Sequence, residues 1–182
     1  EKFLKSLAPF MWRRNLDFAA INDIHSIKRQ MDSRQSRDIQ AKGHNIKLGL
    51  GGIREIEFFC QIHQLIWGGR ELKLRLRVTC DTLTVLRELG LITPEKDNIL
   101  RVAYVFLRTL EHRIQMVADE QTHDLPSGDA EFKNIAEFMG YANIDLFSES
   151  LLQHLNAVHD IYASSFRGAE KLGDSGNLVF TG

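Results

Sequence analysis

The sequence lacks the residues that would define several classes of protein. Cysteine occurs only twice in 182 residues, at Cys60 and Cys80, which is too few for a disulfide framework. We expect two buried thiols in a reducing, cytoplasmic protein instead. No apolar run approaches the roughly 20 residues of a membrane-spanning helix. The formal net charge is −1, so the basic excess of nucleic-acid-binding proteins is also missing, and we expect neither nucleic acid nor membrane as a partner.

Motifs for metal binding are missing as well. The seven histidines form no HExxH motif and no set with cysteine at ligand spacing. His154 and His159 fall on different sides of a helix, and His63 lies on an apolar stripe, where a hydrogen-bonded core role is the simpler interpretation. Acidic residues at 119–124 straddle a predicted helix end, which favours capping or solvation over cation binding. The residues alone predict no metal and no complete active site.

What the sequence does contain is helical spacing of apolar residues along most of its length. This spacing predicts an all-α fold, an up-and-down bundle of helices joined by short loops. The expected organisation is an N-terminal helical arm over 1–44, a bundle over 45–167 and a flexible or extended tail over 168–182. The start at Glu1 reads as a helix interior, so we expect a piece of a longer protein. The predicted helices cover 13–42, 52–67, 81–89, about seven turns after Pro94, 130–139 and 144–166.

Capping residues mark several helix ends. Thr93 is predicted as an N-cap with Pro94 in the first helical position, and Gly68-Gly69 as a left-handed cap after the second helix. The helix after Pro94 is expected to bury one apolar stripe, Ile99, Val102, Phe106, Leu110, Ile114 and Val117. The last helix is expected to bury Leu146, Leu151, Leu155, Val158, Ile161 and Tyr162.

Apolar and basic residues alternate in the connection at 72–78. The pattern is typical of a strand with a basic face formed by Lys73, Arg75 and Arg77. No second alternating run exists to pair with it, so we expect a short extended loop that packs its leucines inward. The alternative is that its three cations face an acidic partner. The charged stretch 32–38 is likewise either a solvated helix end or a surface that meets another domain.

A glycine-rich turn feeding a helix start, residues 45–58 and here named the glycine turn, is the best candidate for a functional site. Unpaired amides and the helix dipole at such a start favour an anion such as phosphate, and Lys47 and Arg54 flank the spot. The alternative is that the glycines serve only close packing or a positive φ angle, because neither the P-loop nor the dinucleotide pattern is matched. The glycines are Gly49, Gly51 and Gly52.

Four ordered segments form a recognisable pattern. They are PFMWRRNLD at 9–17, NIKLGLGGIREIEF at 45–58, RVAYVFLR at 101–108 and DEQTHDLP at 119–126. Together they resemble the family of bifunctional glutamine synthetase adenylyltransferase/adenylyl-removing enzymes, and the adenylyl-removing half more than the other. The likeness covers roughly residues 3–166. Leu50 departs from it, since a small or basic residue is frequent in the family at that position.

The resemblance implies a parent reaction. Such enzymes attach AMP from ATP to a tyrosine of glutamine synthetase and remove it by phosphorolysis, releasing ADP, in response to a PII-type signal protein and glutamine. Their Mg²⁺ ions are held by an Asp-x-Asp pair and a third Asp, and no Asp-x-Asp occurs in this sequence. The chain is expected to be the helical domain that follows the catalytic domain, inactive alone and binding no cofactor tightly. Its implied partners are that catalytic domain, glutamine synthetase and the PII-type protein.

Under this resemblance, the stretch from Lys47 to Glu57 is expected to form a wall of the active cleft. Lys47 and Arg54 would contact phosphate, the glycine amides, chiefly those of Gly51 and Gly52, would help, and Glu55 would orient one cation. Alternatively, Arg54 and Glu55 lock the bundle to the catalytic domain by ion pairing. Two further interpretations stay open: a non-catalytic bundle that docks glutamine synthetase or a PII-type regulator, and a related uridylyl-transferring sensor, which the run at 53–58 fits less well.

Overall fold

The computed structural model describes residues 2–12, 26 and 39–173, which contain six α-helices, one 3₁₀ turn and no strand. The predicted all-α fold is confirmed. Most of the predicted helix at 13–42, and everything after Gly173, lies outside the described residues. None of the described helices is long and apolar enough to cross a membrane. The helices are α1 (Lys2–Met11), α2 (Ile53–Trp67), α3 (Thr79–Glu88), α4 (Pro94–Ala118), α5 (Asp129–Phe138) and α6 (Ile144–Gly173), with the 3₁₀ turn at Leu72–Leu74.

The core lies where α2, α4 and α6 meet. Helix α4 contacts α2, α3, α5 and α6, so it runs through the middle of the described bundle. Each of these helices buries apolar side chains because its apolar residues recur at three- and four-residue spacing. The fully buried side chains include Ile53, Ile56, Leu83, Leu86, Leu107, Leu110, Phe132, Phe147 and Tyr162.

The end of α2 is shaped by packing against the N-terminal segment. Gly68 follows the helix with φ −65° and ψ −14°, so the predicted left-handed cap at Gly68-Gly69 is wrong. A Cβ built on Gly68 would lie 2.6 Å from ring carbons of Trp12, closer than any side chain tolerates. The Arg75 guanidinium also lies over the Trp12 ring, with Cζ 5.3 Å from the ring centroid. Glycine is therefore needed at this point for the close approach of an aromatic ring.

The start of α4 matches its prediction, and the chain turns at Gly90 before it. Gly90 takes φ +69° just after α3, which closes that helix without the steric cost of a side chain. Oγ1 of Thr93 accepts a hydrogen bond from the Lys96 amide at 3.3 Å, and Pro94 occupies the first turn of α4. With 25 residues, α4 is about 37 Å long at the usual rise per residue.

The buried stripe of α4 differs from the predicted one. Residues predicted to be buried but more than a third exposed are Ile99, Val102 and Val117. Buried side chains that the prediction left out are Leu100, Ala103 and Leu107, whereas Leu110 and Ile114 are buried as predicted. The true stripe also contains two carboxylates, Asp97 and Glu111, each 2% exposed. An apolar pattern avoids charged residues, so it selected a neighbouring face of the helix.

The connection at 72–78 forms no strand, but it begins with the 3₁₀ turn at Leu72–Leu74 rather than as the predicted extended loop, and only part of it packs inward. Leu74 is fully buried, whereas Leu72 and Val78 are 68% and 54% exposed, so the prediction that the leucines all face inward is wrong. Nε2 of Gln64 donates to the carbonyl oxygens of Leu74 at 2.8 Å and Leu76 at 2.9 Å. A side chain of α2 thus satisfies loop carbonyls that a partner strand would otherwise have to satisfy.

The last two helices begin close to their predicted positions. Helix α5 is followed by Gly140 at φ +88°, and α6 extends to Gly173, past the predicted end at Phe166. Leu146 is 49% exposed, so its predicted burial is wrong, and Phe147 is buried in its place. The other predicted core residues of α6 are buried, namely Leu151, Leu155, Val158, Ile161 and Tyr162.

The two thiols are both free but differ in burial. Cys60 is buried on α2, and the loss of solvation raises the pKa of its thiol to about 12. Cys80 on α3 is only half-buried, so the prediction of two buried thiols is wrong for Cys80. The raised pKa of Cys60 is the opposite of what a reactive cysteine requires.

Candidate functional site

The glycine turn is closed by its own backbone hydrogen bonds. The Gly52 amide donates to the Gly49 carbonyl at 3.0 Å, and the Arg54 amide donates to the Lys47 carbonyl at 3.1 Å. Amides that a helix start often leaves unpaired are therefore used within the turn. The Gly52 amide already has a partner within the turn, and its help in binding an anion stays a prediction.

Two of the glycines are required by close packing. Gly51 has φ +71°, and a Cβ built on it would lie 1.9 Å from the Leu155 carbonyl oxygen of α6. A Cβ on Gly49 would lie 2.5 Å from the Asn45 carbonyl oxygen and 2.7 Å from Nε2 of His44. These contacts support the alternative that the glycines serve packing and backbone conformation. The turn is thereby held against α6.

The glycine turn pairs with the segment after α4. The Ile46 amide donates to the His123 carbonyl at 2.9 Å, and the Leu125 amide donates to the His44 carbonyl at 2.9 Å. Asn45 and Asp124 form an isolated antiparallel bridge, reinforced by a 2.7 Å hydrogen bond from Nδ2 of Asn45 to the Asp124 carboxylate. Two of the four sequence segments, far apart along the chain, are therefore neighbours in the structure.

Glu111 of α4 brings three basic side chains together at this junction. Its Oε1 lies 3.4 Å from Nζ of Lys47 and 3.1 Å from Nδ1 of His123, and its Oε2 lies 2.6 Å from Nη1 of Arg108. The Glu111 side chain is 3% exposed, while those of Lys47, Arg108 and His123 are 29%, 37% and 21% exposed. A buried carboxylate is costly unless it is paired, so these four residues, the Glu111 cluster, form one electrostatic unit.

His123 is held less completely than its distance from Glu111 suggests. Its Nδ1 is 3.1 Å from Oε1 of Glu111, but the two atoms do not form a hydrogen bond. Within the described residues, this buried nitrogen has no hydrogen-bond partner. The imidazole is therefore near the carboxylate without being fixed by it.

Arg54 and Glu55 leave α2 on different sides. Arg54 is exposed, whereas Glu55 is fully buried, with both carboxylate oxygens 3.3 Å from Nδ1 of His159 on α6. A residue and its immediate neighbour on a helix point about 100° apart, which accounts for the difference. Glu55 thus joins α2 to α6 inside the bundle, away from the exposed face of Arg54.

Arg108, Glu111 and His123 escaped the sequence-based search as a group. Arg108 and His123 each lie in a segment that resembles the family, but no spacing connects them to Lys47. Glu111 reads as a solvated residue of a long helix, and only its spacing of three residues from Arg108 gave a signal. The grouping depends on the pairing between the glycine turn and the segment after α4.

Three further histidines have lowered pKa values because of their burial. Burial lowers the pKa of half-buried His63, and its Nδ1 lies 2.8 Å from the Phe59 carbonyl, so the predicted hydrogen bond is present. Burial likewise lowers the pKa values of His44 and His154. Over the described ranges, no group of three His, Cys, Asp or Glu side chains could hold a metal ion. The implied Mg²⁺ therefore does not fit the side chains described.

Comparisons with known proteins place this sequence in a family. Residues 25–166 match the family model described as GlnD PII-uridylyltransferase. The whole chain is 53% identical, over 184 residues, to the bifunctional glutamine synthetase adenylyltransferase/adenylyl-removing enzyme of Agrobacterium fabrum (strain C58 / ATCC 33970), of which it covers 19%. Proteins of the same name are 53% identical in Rhizobium meliloti (strain 1021), over 184 residues, and 52% identical in Caulobacter vibrioides (strain ATCC 19089 / CIP 103742 / CB 15), over 182 residues.

These two matches cover 100% and 99% of this chain and 19% and 18% of the relatives. The chain therefore spans about a fifth of the length of the curated relatives it matches.

Proposed function

The chain belongs to the GlnD PII-uridylyltransferase family, and we propose that it is the helical domain of a bifunctional glutamine synthetase adenylyltransferase/adenylyl-removing enzyme. The names of the relatives support adenylyl rather than uridylyl chemistry, because all are similar to this chain over nearly its whole length. The proposed bundle covers 45–167, preceded by a helical arm that leads out of the catalytic domain. Two free thiols fit a cytoplasmic setting.

The observation that carries the proposal is the meeting of three family-like segments at one place. The glycine turn pairs with the segment around His123, and both reach Glu111, three residues beyond Arg108 in the segment at 101–108. Segments that merely stabilise separate helices have no reason to converge on one partly exposed group of charges. Such a group is suited to a negatively charged substrate at the edge of the domain.

In the parent enzyme, this domain would form one wall of the cleft that faces the catalytic domain. Lys47 and Arg54 would bind phosphate oxygens of ATP, ADP or inorganic phosphate, and the catalytic domain would supply the Mg²⁺ ligands. Phosphate attacks the adenylyl phosphorus, the bond to the tyrosine oxygen of glutamine synthetase breaks, and ADP leaves while the tyrosine regains its proton. Because this chain contributes only the wall, it is inactive by itself. The PII-type protein would act on the whole enzyme.

A chimera tests this proposal. This chain is placed in the Agrobacterium fabrum enzyme instead of the segment it matches, and the phosphate-dependent release of ADP from adenylylated glutamine synthetase is measured. We expect the chimera to be active and Arg54→Met to slow it about 10- to 100-fold, the value of one or two charge-assisted hydrogen bonds. Lys133→Met, which removes a cation from an exposed pair on α5, is the control expected to leave the rate unchanged.

Two results would overturn the proposal. A folded chimera without activity in either direction removes the assignment to this enzyme. If the Arg54→Met chimera is as active as the Lys133→Met chimera, the proposed role of this chain as a cleft wall is wrong, but its assignment to the enzyme stands.

A second candidate is a non-catalytic bundle that docks glutamine synthetase. It is favoured by an exposed face of α4 that carries no charge between 98 and 107 apart from the half-buried Arg101 on its flank. Val102 and Val105 on this face are 47% and 55% exposed. If docking is the function, Val105→Glu weakens binding of the chain to glutamine synthetase at least tenfold in calorimetry, while Leu146→Glu, at an equally exposed site on α6, does not. Equal binding by both variants removes this candidate.

A further inference from the structure

The Glu111 cluster carries more positive than negative charge. Lys47 and Arg108 are permanently charged, and Glu111 is the one carboxylate that they share with His123. The cluster is therefore positive even when the imidazole is neutral. The nearest acidic neighbour along the chain, Asp124, is exposed and accepts a hydrogen bond from Asn45. With two cations against one buried acid, the cluster itself keeps a net positive charge.

The donors of this cluster are only partly used by Glu111. Arg108 touches the carboxylate through Nη1, and its guanidinium has five N–H donors in all. Lys47 reaches Glu111 at 3.4 Å, at the long end of a hydrogen bond, with three donors on its ammonium group. Nδ1 of His123 has no hydrogen-bond partner within the described residues. The three basic side chains are 21–37% exposed, so a ligand in solvent can reach part of each of them, although Nδ1 of His123 itself is buried.

We infer that Lys47, Arg108 and His123 form a binding site for a phosphate or terminal phosphoryl group, with Glu111 positioning the three from behind. The biological role of this site rests on the proposed function, but binding itself does not. A tetrahedral phosphate accepts several charge-assisted hydrogen bonds at once, which matches one lysine, one forked guanidinium and one imidazole. Arg108, Glu111 and His123 extend the site beyond the residues of the glycine turn.

Titration of the ¹⁵N-labelled 182-residue chain with inorganic phosphate tests the site by NMR. We expect saturable shifts at Lys47, Arg108 and His123, and a dissociation constant raised at least tenfold by Arg108→Gln. The matched control is Arg87→Gln, which removes an arginine from a second buried carboxylate, Asp97, at the other end of α4. That variant should bind phosphate as tightly as the wild-type chain. Shifts that never saturate, or equal weakening by both variants, would overturn the inference.

ADP and adenosine identify the source of the phosphate. Displacement of inorganic phosphate by ADP from the same three residues assigns the site to the phosphoryl group of a nucleotide. Simultaneous binding of ADP elsewhere assigns it to free phosphate. Adenosine, which has no phosphate, should shift none of the three, and a shift at all of them by adenosine contradicts the inference. If Arg108→Gln fails to fold by circular dichroism, Lys47→Met and His123→Gln replace it with the same expected loss.

The chimera separates this inference from the proposed function. If the site serves the reaction, Arg108→Gln raises the KM for phosphate at least tenfold and leaves kcat within threefold, whereas Arg87→Gln changes neither. If the isolated chain binds phosphate but the chimera is inactive, the inferred site stands and the proposed function is wrong. An active chimera whose phosphate KM is insensitive to Arg108→Gln removes the inference alone.

Discussion

Helix α4 carries two buried carboxylates, one near each end, and their basic partners differ. Asp97 lies in the first turn and Glu111 about four turns later, and each is 2% exposed. Both are paired with basic side chains, as a buried charge must be. The difference lies in where those partners come from and in what else they contact.

At the start of α4, the partners of Asp97 belong to helices. Arg87 of α3 and Arg101 of α4 each approach a carboxylate oxygen at 2.8 Å. Nη2 of Arg101 also donates to the Cys80 carbonyl at 3.0 Å and to Oγ1 of Thr84 at 2.9 Å. This Asp97 cluster therefore joins α3 to α4 through a connected set of hydrogen bonds.

Near the end of α4, the partners of Glu111 come mostly from loops. Lys47 belongs to the glycine turn and His123 to the segment after α4, and only Arg108 shares the helix. The contact with Lys47 is 3.4 Å long, and His123 does not complete a hydrogen bond. The Asp97 carboxylate is hydrogen-bonded to both of its arginines, and these bonds hold helices together. In the Glu111 cluster, some N–H donors of the basic side chains are unused and can bind a ligand.

The largest expected effect is at the glycines beside the two clusters. Gly51 and Gly90 have nearly the same left-handed φ, +71° and +69°, but a Cβ at Gly51 meets the Leu155 carbonyl whereas one at Gly90 meets nothing within 4 Å. Gly51→Ala should lower the free energy of unfolding by about 4 kcal/mol, through strain and overpacking together. Gly90→Ala carries the strain alone, about 1 kcal/mol. Urea unfolding of both variants measures the difference.

If both variants lose the same free energy of unfolding, α6 must move to make room for the methyl group at Gly51. The claim that close packing requires a glycine there would then be wrong.

The next effect concerns the carboxylates themselves. Asp97→Ala should lower the free energy of unfolding by about 3 kcal/mol, because two arginines bound between helices lose their counter-charge. Glu111→Ala should cost about 2 kcal/mol or less, because Lys47 and His123 lie on loops and can turn towards water. Thermal and urea unfolding compare the two variants. If Glu111→Ala lowers the free energy of unfolding more than Asp97→Ala does, the Glu111 cluster is the one that stabilises the fold, and the comparison between the two clusters is wrong.

The smallest effect on stability is expected at Cys60, close to the Asp97 cluster. Burial raises its thiol pKa from 9.0 to about 12, so the folded state favours the protonated form. This contribution is present below pH 9 and is lost as the pH rises towards 12. At pH 8, the Cys60 thiolate is much rarer than that of an ordinary thiol, so Cys60 should react with iodoacetamide only when the chain opens.

Mass spectrometry of the labelled chain follows each thiol separately. Half-buried Cys80 should react first, and Asp97→Ala should speed the labelling of Cys60 more than Glu111→Ala does. Rapid labelling of Cys60 in the wild-type chain would contradict the closed structure proposed for this end.

Local signals accounted for most of the fold. The cap at Thr93, the bounds of α2 and the all-α class each depend on residues within one or two turns, and all were predicted. The stripe of α4 was mispredicted because its buried face contains Asp97 and Glu111, and burial of a charge depends on partners that no apolar pattern shows. The reason for Gly68 was mispredicted too, since it depends on Trp12, more than fifty residues away.

The candidate site was predicted only in part. Lys47 and Arg54 stand out beside the glycines, and Lys47 does lie in a charged cluster. Glu55 was placed with them, yet it faces His159 in the core, because adjacent residues of a helix point to different sides. Whether Arg54 and Lys47 bind phosphate remains the prediction that the chimera and the titration test.

The sequence by itself determined the helices and where they start, because spacing, caps and propensity act between residues a few positions apart. It also showed the family likeness, through four short segments in order. Only the tertiary structure decided which charges are buried and which basic side chains surround them. Glu111 meets Lys47 across 64 positions, and such a contact exists only because α4, the glycine turn and the segment after α4 are packed together. Electrostatic energy depends on distance in space and on access to water, and neither is written in the order of residues.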